Sequence, residues 1–457
     1  MTSRSQRGGS STGDLLLVGL LAIVAGAATG LMVSVFRLTL GAADRLRNEL
    51  VERAHQIGPE GLLLTVIGCA AAMALAAGLV RRFSIYASGS GVPEVEAALA
   101  GELPPVPLRR ILLIKFIGGI LSIGSGAALG PEGPGVQMGA VGGRLLATVF
   151  RRAWPDVQAL VAAGAGAGIA VAFNAPIAGT VFVLEELTRR FEMRLAIAGL
   201  GASSTAILIS RLLLGDAPVL HVTVMGQIAS ATGSLPYAAP AAWPLYLVLG
   251  ALAGIAAVAY NRFIIQALRL SSALTEWPAE FKAAIVGALI GLVGWFAPKL
   301  LGDGSSLSQL VVANAAIAGG IPLAFAVRFC LGPISYAART PGGLFAPLLT
   351  LGALTGSFLG GSFHAAFPAL GIEPQAFAVV GMAAFFTGVV RAPVTGIVLV
   401  IEMTAAFTTL LPMLVACFAA VLAASLLNDP PIYDSLRQRL IDELRLGTIP
   451  FPDRAAP

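Results

Sequence analysis

Apolar runs near or above the length of a bilayer crossing recur along the whole chain, at 15–36, 61–80, 193–214, 244–268 and 283–298. A helix needs roughly 20 apolar residues to span the hydrocarbon core. A segment inside that core must satisfy its own backbone hydrogen bonds, so repeated runs of this kind specify a bundle of helices. The rest of the composition offers no way out of the membrane. Of the 457 residues, 57% are hydrophobic and 12% charged, with a mean hydropathy of +0.86. A soluble domain uses about 25% charged residues to build its surface. The fold class is therefore an all-α polytopic membrane protein.

The first run follows Arg4 and Arg7. It continues to about residue 36, too long for a signal-peptide core of roughly 7–15 residues, and reads as a retained span. Basic residues then give a topology, because short cytoplasmic loops keep Lys and Arg. Counting crossings from a cytoplasmic N-terminus places Arg81-Arg82, Arg109-Arg110, Arg151-Arg152 and Arg189-Arg190 on one side. No Lys or Arg occurs between Arg211 and Arg262, a stretch that contains the long loop 215–243 on the other side. The expected organisation is a cytoplasmic tail at 1–13, one transport unit at 14–445 and a short cytoplasmic tail at 446–457. Several pieces are too short to cross. Segment 177–188 would make only about 18 Å of helix, and half-length helices broken by Gly or Pro point to a transport site at mid-membrane.

The chain also repeats. Ala175-Pro176-Ile177-Ala178-Gly179 returns as Ala392-Pro393-Val394-Thr395-Gly396, with Gly164, Ala167 and Glu185 matching Gly381, Ala384 and Glu402. Gly130, Pro134, Gly139 and Ala140 match Gly343, Pro347, Gly352 and Ala353. The order is kept, so two structural halves are expected, roughly 14–215 and 244–428.

Three Gly/Pro breaks each precede a helix-favouring run. They are Gly89-Ser90-Gly91-Val92-Pro93, Gly130-Pro131-Glu132-Gly133-Pro134 and Gly342-Gly343-Leu344-Phe345-Ala346-Pro347. Pro is tolerated in a first turn and Gly frees the backbone before it. Each break thus predicts a helix N-terminus with unpaired amides and the positive end of a dipole, which suits an anion. Glu132 lies in such a break. A carboxylate there competes with a permeant anion for the same amides and leaves when protonated, so one residue is both gate and proton carrier. Glu185 and Glu186 end a half-helix, and Lys115 stands alone in an apolar run; structural pairing accounts for Glu185, Glu402 and Lys115. The scattered Cys69, Cys330, Cys417, His55, His221 and His364 lack metal-ligand spacing. Gly164-Ala165-Gly166-Ala167-Gly168 sits in an apolar run without a strand before it, so it does not make a dinucleotide site, and no phosphate-binding GxxxxGK[ST] occurs. No cofactor and no nucleic-acid partner are expected. Neither HExxH nor GxSxG is present, which disfavours an intramembrane hydrolase.

The three breaks, in this order, resemble the GSGxP, GxEGP and GGxFxP motifs of the CLC family of chloride channels and chloride/proton antiporters. The resemblance runs from about 14 to 445 and includes Asn174-Ala175-Pro176, Arg391-Ala392-Pro393 and Glu402-Met403-Thr404. It implies broken, tilted helices in two inverted halves and a homodimer with one pore per subunit in the inner (plasma) membrane. It further implies that Ser90 and Tyr433 offer hydroxyls to the central chloride, with amides of Gly133, Leu344 and Phe345 completing the anion site. Glu132 would be the external gate and Glu186 the internal proton-transfer residue. An acid at the internal position goes with exchangers, so proton-coupled exchange leads and a passive chloride channel is the alternative. Ser90 and Glu186 argue against a fluoride exchanger, and Ser90 against nitrate preference. One position departs: Pro131 stands where the family's GREGP has Arg, so the positive charge beside the gate is missing. Residues 446–457 are too few for the nucleotide-sensing C-terminal domains of many relatives.

Overall fold

A computed structural model of the chain describes residues 12–216, 220, 240–315, 317 and 320–446. Most of the loop expected at 215–243, with His221, and nearly all of both tails lie outside the described residues. The first half contains α1 (Thr12–Ile57), α2 (Pro59–Phe83), α3 (Val92–Leu99), α4 (Leu108–Gly124), α5 (Glu132–Val149), α6 (Trp154–Phe173), α7 (Pro176–Phe182) and α8 (Met193–Leu214). The second contains α9 (Trp243–Ala273), α10 (Ala279–Phe296), α11 (Ser305–Val312), α12 (Gly320–Ala337), α13 (Phe345–Ala366), α14 (Pro374–Val390), α15 (Pro393–Thr404), α16 (Leu410–Leu426) and α17 (Ile432–Arg445). Among the described residues, nine helices are long and apolar enough to cross a bilayer. The chain is a multi-pass membrane protein.

The first helix is longer than its apolar run. It has 46 residues, or about 69 Å against a hydrocarbon core of about 30 Å. Hydropathy ends the span where charges begin, but charges do not end a helix. Asp44 and Arg47 pair across one turn at 2.8 Å and carry it onward to Ile57.

The repeat is visible in the packing. Gly139 of α5 meets Gly164 of α6 so closely that a methyl on either would strike the other's backbone, and Gly352 of α13 meets Gly381 of α14 in the same way. Small residues let helices approach in lipid, where no hydrophobic gain drives association. The two equivalent helices α6 and α14 also end alike. Asn174 (φ 52°) and Arg391 (φ 69°) take the left-handed conformation, and Ala-Pro then starts α7 and α15. Asn adopts that conformation readily. Arg391 is held there by bonds from its guanidinium to the carbonyls of Gly388 and Asp429.

Equivalent residues pair with each other at two places. Gly130 and Gly343 exchange both backbone bonds, at 2.9 and 2.7 Å. The Glu402 carboxylate accepts from the amides of Ile177 (3.1 Å) and Ala178 (2.7 Å). Glu185 in turn accepts from the amides of Val394 (3.0 Å) and Thr395 (2.6 Å) and from the Thr395 hydroxyl (2.7 Å). Each half therefore caps the half-helix of the other, and both carboxylates are structural. The exchange is reciprocal, as a two-fold relation requires. The relation is inverted with respect to the membrane. Helix α5 ends beside Arg151-Arg152, whereas α13 starts just after Arg339 and leads away from that face.

Candidate functional site

The three sequence breaks are far apart in the chain and meet in space. The Gly89 amide donates to the Thr340 carbonyl (3.2 Å), and the Gly342 amide donates to the Gly89 carbonyl (3.0 Å). The Gly130–Gly343 pair joins the second break to the third. Gly133 lies between the first and the third, where a side chain would come within 2.6 Å of the Ser90 carbonyl and 2.8 Å of Gly343 Cα. Only a residue without Cβ allows this approach. The N-termini of α3, α5 and α13 thus converge on one buried point.

Glu132 is the first residue of α5 and is 1% exposed. The Phe345 amide donates to its Oε1 at 2.7 Å, and the Ala346 amide lies within electrostatic reach of the same carboxylate. A side chain from one helix N-terminus therefore occupies the amides of another. Its Oε2 is buried without a hydrogen-bond partner. Leu344 is the N-cap of α13, buried just ahead of those amides.

The hydroxyls of Ser90 and Tyr433 are both buried without an acceptor among the described residues. They are near enough to influence each other without the geometry of a hydrogen bond. Tyr433 lies in the first turn of α17. Its ring packs 5.8 Å from that of Phe345, which is also edge-on to Phe182 and Phe386. Two buried O–H donors thus face the wall that carries the Phe345 amide. Buried donors without partners are costly, and an anion bound between them would satisfy both. Lys115 fixes the first break from behind, donating to the carbonyls of Ala87, Ser88 and Gly89 at 3.3, 3.3 and 2.8 Å.

Glu186 is not part of this cluster. It lies on a single π turn, Val183–Leu187, that continues α7, and is 3% exposed. Arg189 approaches it at 3.7 Å and forms a closer pair with Asp434 at 2.6 Å, next to Tyr433. Sequence reasoning missed Glu96, a residue 4% exposed whose two carboxylate oxygens are buried without a hydrogen-bond partner among the described residues. It lines, with Glu186, a cavity of about 730 Å³ bounded by Arg189, Arg190, Arg194 and Arg437. The only sequence signal was its position on the short helix after the first break, where Glu94 is equally prominent.

A second cavity, of about 1030 Å³, opens on the same arginine-rich face at the other side of α17. Six Arg or Lys and three Asp or Glu line it, and it shares Ser88, Arg339 and Arg439 with a small cavity that reaches Gly89 and Tyr336. A third, of about 380 Å³, lies towards the opposite face, lined by Pro131, Asn174, Ala346, Gly215 and Leu220. Helix α8 starts just past the Arg189-Arg190 pair and runs 22 residues, or about 33 Å. That length puts Gly215 on the far side. Three cavities thus lie around the buried junction: two on the arginine face, one of them reaching Ser88 and the other Glu96 and Glu186, and one towards the opposite side.

The sequence profile of the family described as voltage gated chloride channel matches residues 72–425. The H(+)/Cl(-) exchange transporter ClcA of Vibrio parahaemolyticus is 36% identical over 442 residues, covering 94% of this chain and 92% of its own. The protein of the same name from Vibrio cholerae is 38% identical over 384 residues, covering 82% and 80%. Among solved structures, a slow cyanobacterial Cl-/H+ antiporter superposes with a TM-score of 0.87 at 31% identity, covering 94% of this chain and 99% of its own. A CLC-type fluoride/proton antiporter shares the fold, with a TM-score of 0.73 at 22% identity, 91% and 98% covered.

Proposed function

This chain belongs to the voltage-gated chloride channel family, the CLC family, and we propose that it exchanges chloride for protons across the membrane. The observation that carries this reading is the Glu132 carboxylate bonded to the Phe345 amide where three helix N-termini meet. That carboxylate holds the position a chloride would take. Partial charges suit a permeant ion, because a full counter-charge would bind it too tightly for turnover. When Glu132 takes a proton its hold on the amide weakens, the side chain leaves, and chloride replaces it. One proton bound and one anion admitted then become linked events.

Chloride rests between the Ser90 and Tyr433 hydroxyls, beside the amides of Gly133, Leu344 and Phe345, and reaches the inner side through the basic cavity. Protons pass between Glu132 and Glu186 and leave through the cavity that Glu186 shares with Glu96. Two inner cavities on opposite sides of α17 support this division, since the anion need not pass Glu186. The exchanger reading is favoured over a passive channel by the buried carboxylate at the inner end and by the exchangers among its relatives.

The transport unit is residues 14–445, in the inner (plasma) membrane with both termini in the cytoplasm. The arginine face is then cytoplasmic, in keeping with the retention of basic residues there. Exposed Leu200, Leu208 and Leu212 on α8 give an apolar outer surface for lipid or for the second subunit of a homodimer.

The test is purified protein in liposomes with a chloride gradient and no proton gradient. Uphill proton movement driven by chloride is expected. Chloride flux without proton movement would make the protein a channel.

A further inference from the structure

At Pro131 the gate segment lacks a side-chain charge, yet the cavity in front of it is not without a cation. Arg37, from the middle of α1, lines that cavity together with Pro131 and Asn174. Its guanidinium donates to the Val171 carbonyl at 2.7 Å, near the C-terminal end of α6. This bond crosses 134 residues of sequence and fixes the head group at the cavity wall. Opposite in sign is Asp303, which lines the same cavity and is near enough to interact with Arg37 and with Glu132. Its position is also built. Arg328, 1% exposed, donates to the carbonyls of Leu300 (3.1 Å), Gly302 (2.6 Å) and Asp303 (3.0 Å). The Asp303 carboxylate accepts from the Ser305 amide at 2.9 Å and the Ser305 hydroxyl at 2.8 Å. Among the described residues, Arg37 and Asp303 are the charged ones lining this cavity.

Resting on the exchange reading above, we propose that Arg37 is the anion-collecting residue of the outer vestibule. It supplies from α1 the positive charge that the gate segment lacks at Pro131, and Asp303 opposes it so that the anion passes on to the gate. A charge in a narrow cavity with low-dielectric walls raises the local concentration of its counter-ion. The paired carboxylate limits how tightly that ion is held. Neither residue touches the bound-ion cluster; Arg37 acts on the approach of chloride, while Asp303, within electrostatic reach of Glu132 as well, acts on the approach and on the gate.

The experiment measures chloride flux and proton flux in the same liposomes across a range of external chloride. Arg37→Gln should raise the KM for external chloride roughly two- to fivefold, while the proton-to-chloride ratio stays at its wild-type value. Arg37→Lys should restore most of the affinity, and Asp303→Asn should lower the KM. The difference between wild type and Arg37→Gln should shrink as ionic strength rises, because the half-buried guanidinium acts on an ion arriving from solution, whose attraction over distances beyond about 10 Å is screened at 0.1 M salt. A purely structural role through the Val171 carbonyl would make Lys no better than Gln and would leave the difference insensitive to salt; either result overturns the proposal. Arg37→Cys gives a check that does not depend on comparing variants. Cys69 and Cys417 are buried, so a Cys330→Ser background leaves one accessible thiol. An impermeant cationic thiol reagent added outside should lower the KM and an anionic one raise it; equal effects of the two would refute a charge mechanism. If the wild type moves chloride without protons, the exchange reading fails, while the Arg37 result still stands or falls on chloride KM alone.

Discussion

Glu132→Gln tests the gate at its single visible bond. In the structure the Phe345 amide donates to a carboxylate oxygen at 2.7 Å. A hydrogen bond to an ionised group is worth about 1.5–3 kcal/mol, and a neutral one about 0.5–1.5 kcal/mol. The position at the start of α13 adds roughly 0.3–1 kcal/mol for a negative charge. A glutamine keeps the shape and the acceptor but loses the charge. It therefore competes less well for the amide, by about 1–2 kcal/mol. Since 1.4 kcal/mol is tenfold, chloride should bind this position roughly 5- to 30-fold more tightly in the variant. The side chain also has no proton to take up, so chloride flux should persist without dependence on external pH and without proton transport. Calorimetric titration of purified protein with chloride reads the first effect, and paired ion fluxes in liposomes read the second. A variant that still drives protons uphill would show that Glu132 is not the proton carrier. Unchanged chloride affinity would show that its carboxylate does not compete with the anion.

How much of this was legible beforehand depends on what kind of signal each feature leaves in a sequence. The three breaks were readable because Gly and Pro punctuate helices whatever surrounds them, and α3, α5 and α13 begin where those residues end. The repeat was readable as two blocks matched in the same order at nearly equal offsets, but an offset says nothing of who touches whom. Glu185 and Glu402 matched each other in sequence, and only folding revealed that each caps its partner's helix. The length of α1 was hidden because hydropathy measures where lipid ends and not where hydrogen bonding ends. Arg37 was hidden for a related reason: a lone arginine past the end of an apolar run reads as an interfacial anchor. Its meaning depends on Pro131 and Asp303, 94 and 266 positions away, and no local pattern connects them. Glu96 lacked any flanking signal to separate it from Glu94. Positions set by backbone conformation were thus visible, and positions set by what packs against them were not.

Glu186→Gln should abolish proton transport while leaving substantial chloride flux, with chloride affinity changed by less than about twofold, because the carboxylate lies off the anion cluster. Intact proton transport in that variant would reduce Glu186 to a structural carboxylate, and lost chloride binding would place it in the anion site. The reciprocal caps make the last expectation one of symmetry. Glu402→Ala strips the acceptor from the Ile177 and Ala178 amides, and Glu185→Ala strips it from two amides and the Thr395 hydroxyl. At about 1–2 kcal/mol for each donor left behind, Glu402→Ala should lower stability by roughly 2–4 kcal/mol and Glu185→Ala by roughly 3–6 kcal/mol. The protein that remains folded should keep its ratio of protons to chloride, because neither carboxylate touches the ion cluster. Thermal unfolding in detergent, read beside the flux ratio, separates these outcomes: an altered ratio at unchanged stability would mean that one of these carboxylates carries protons and that the capping account is wrong.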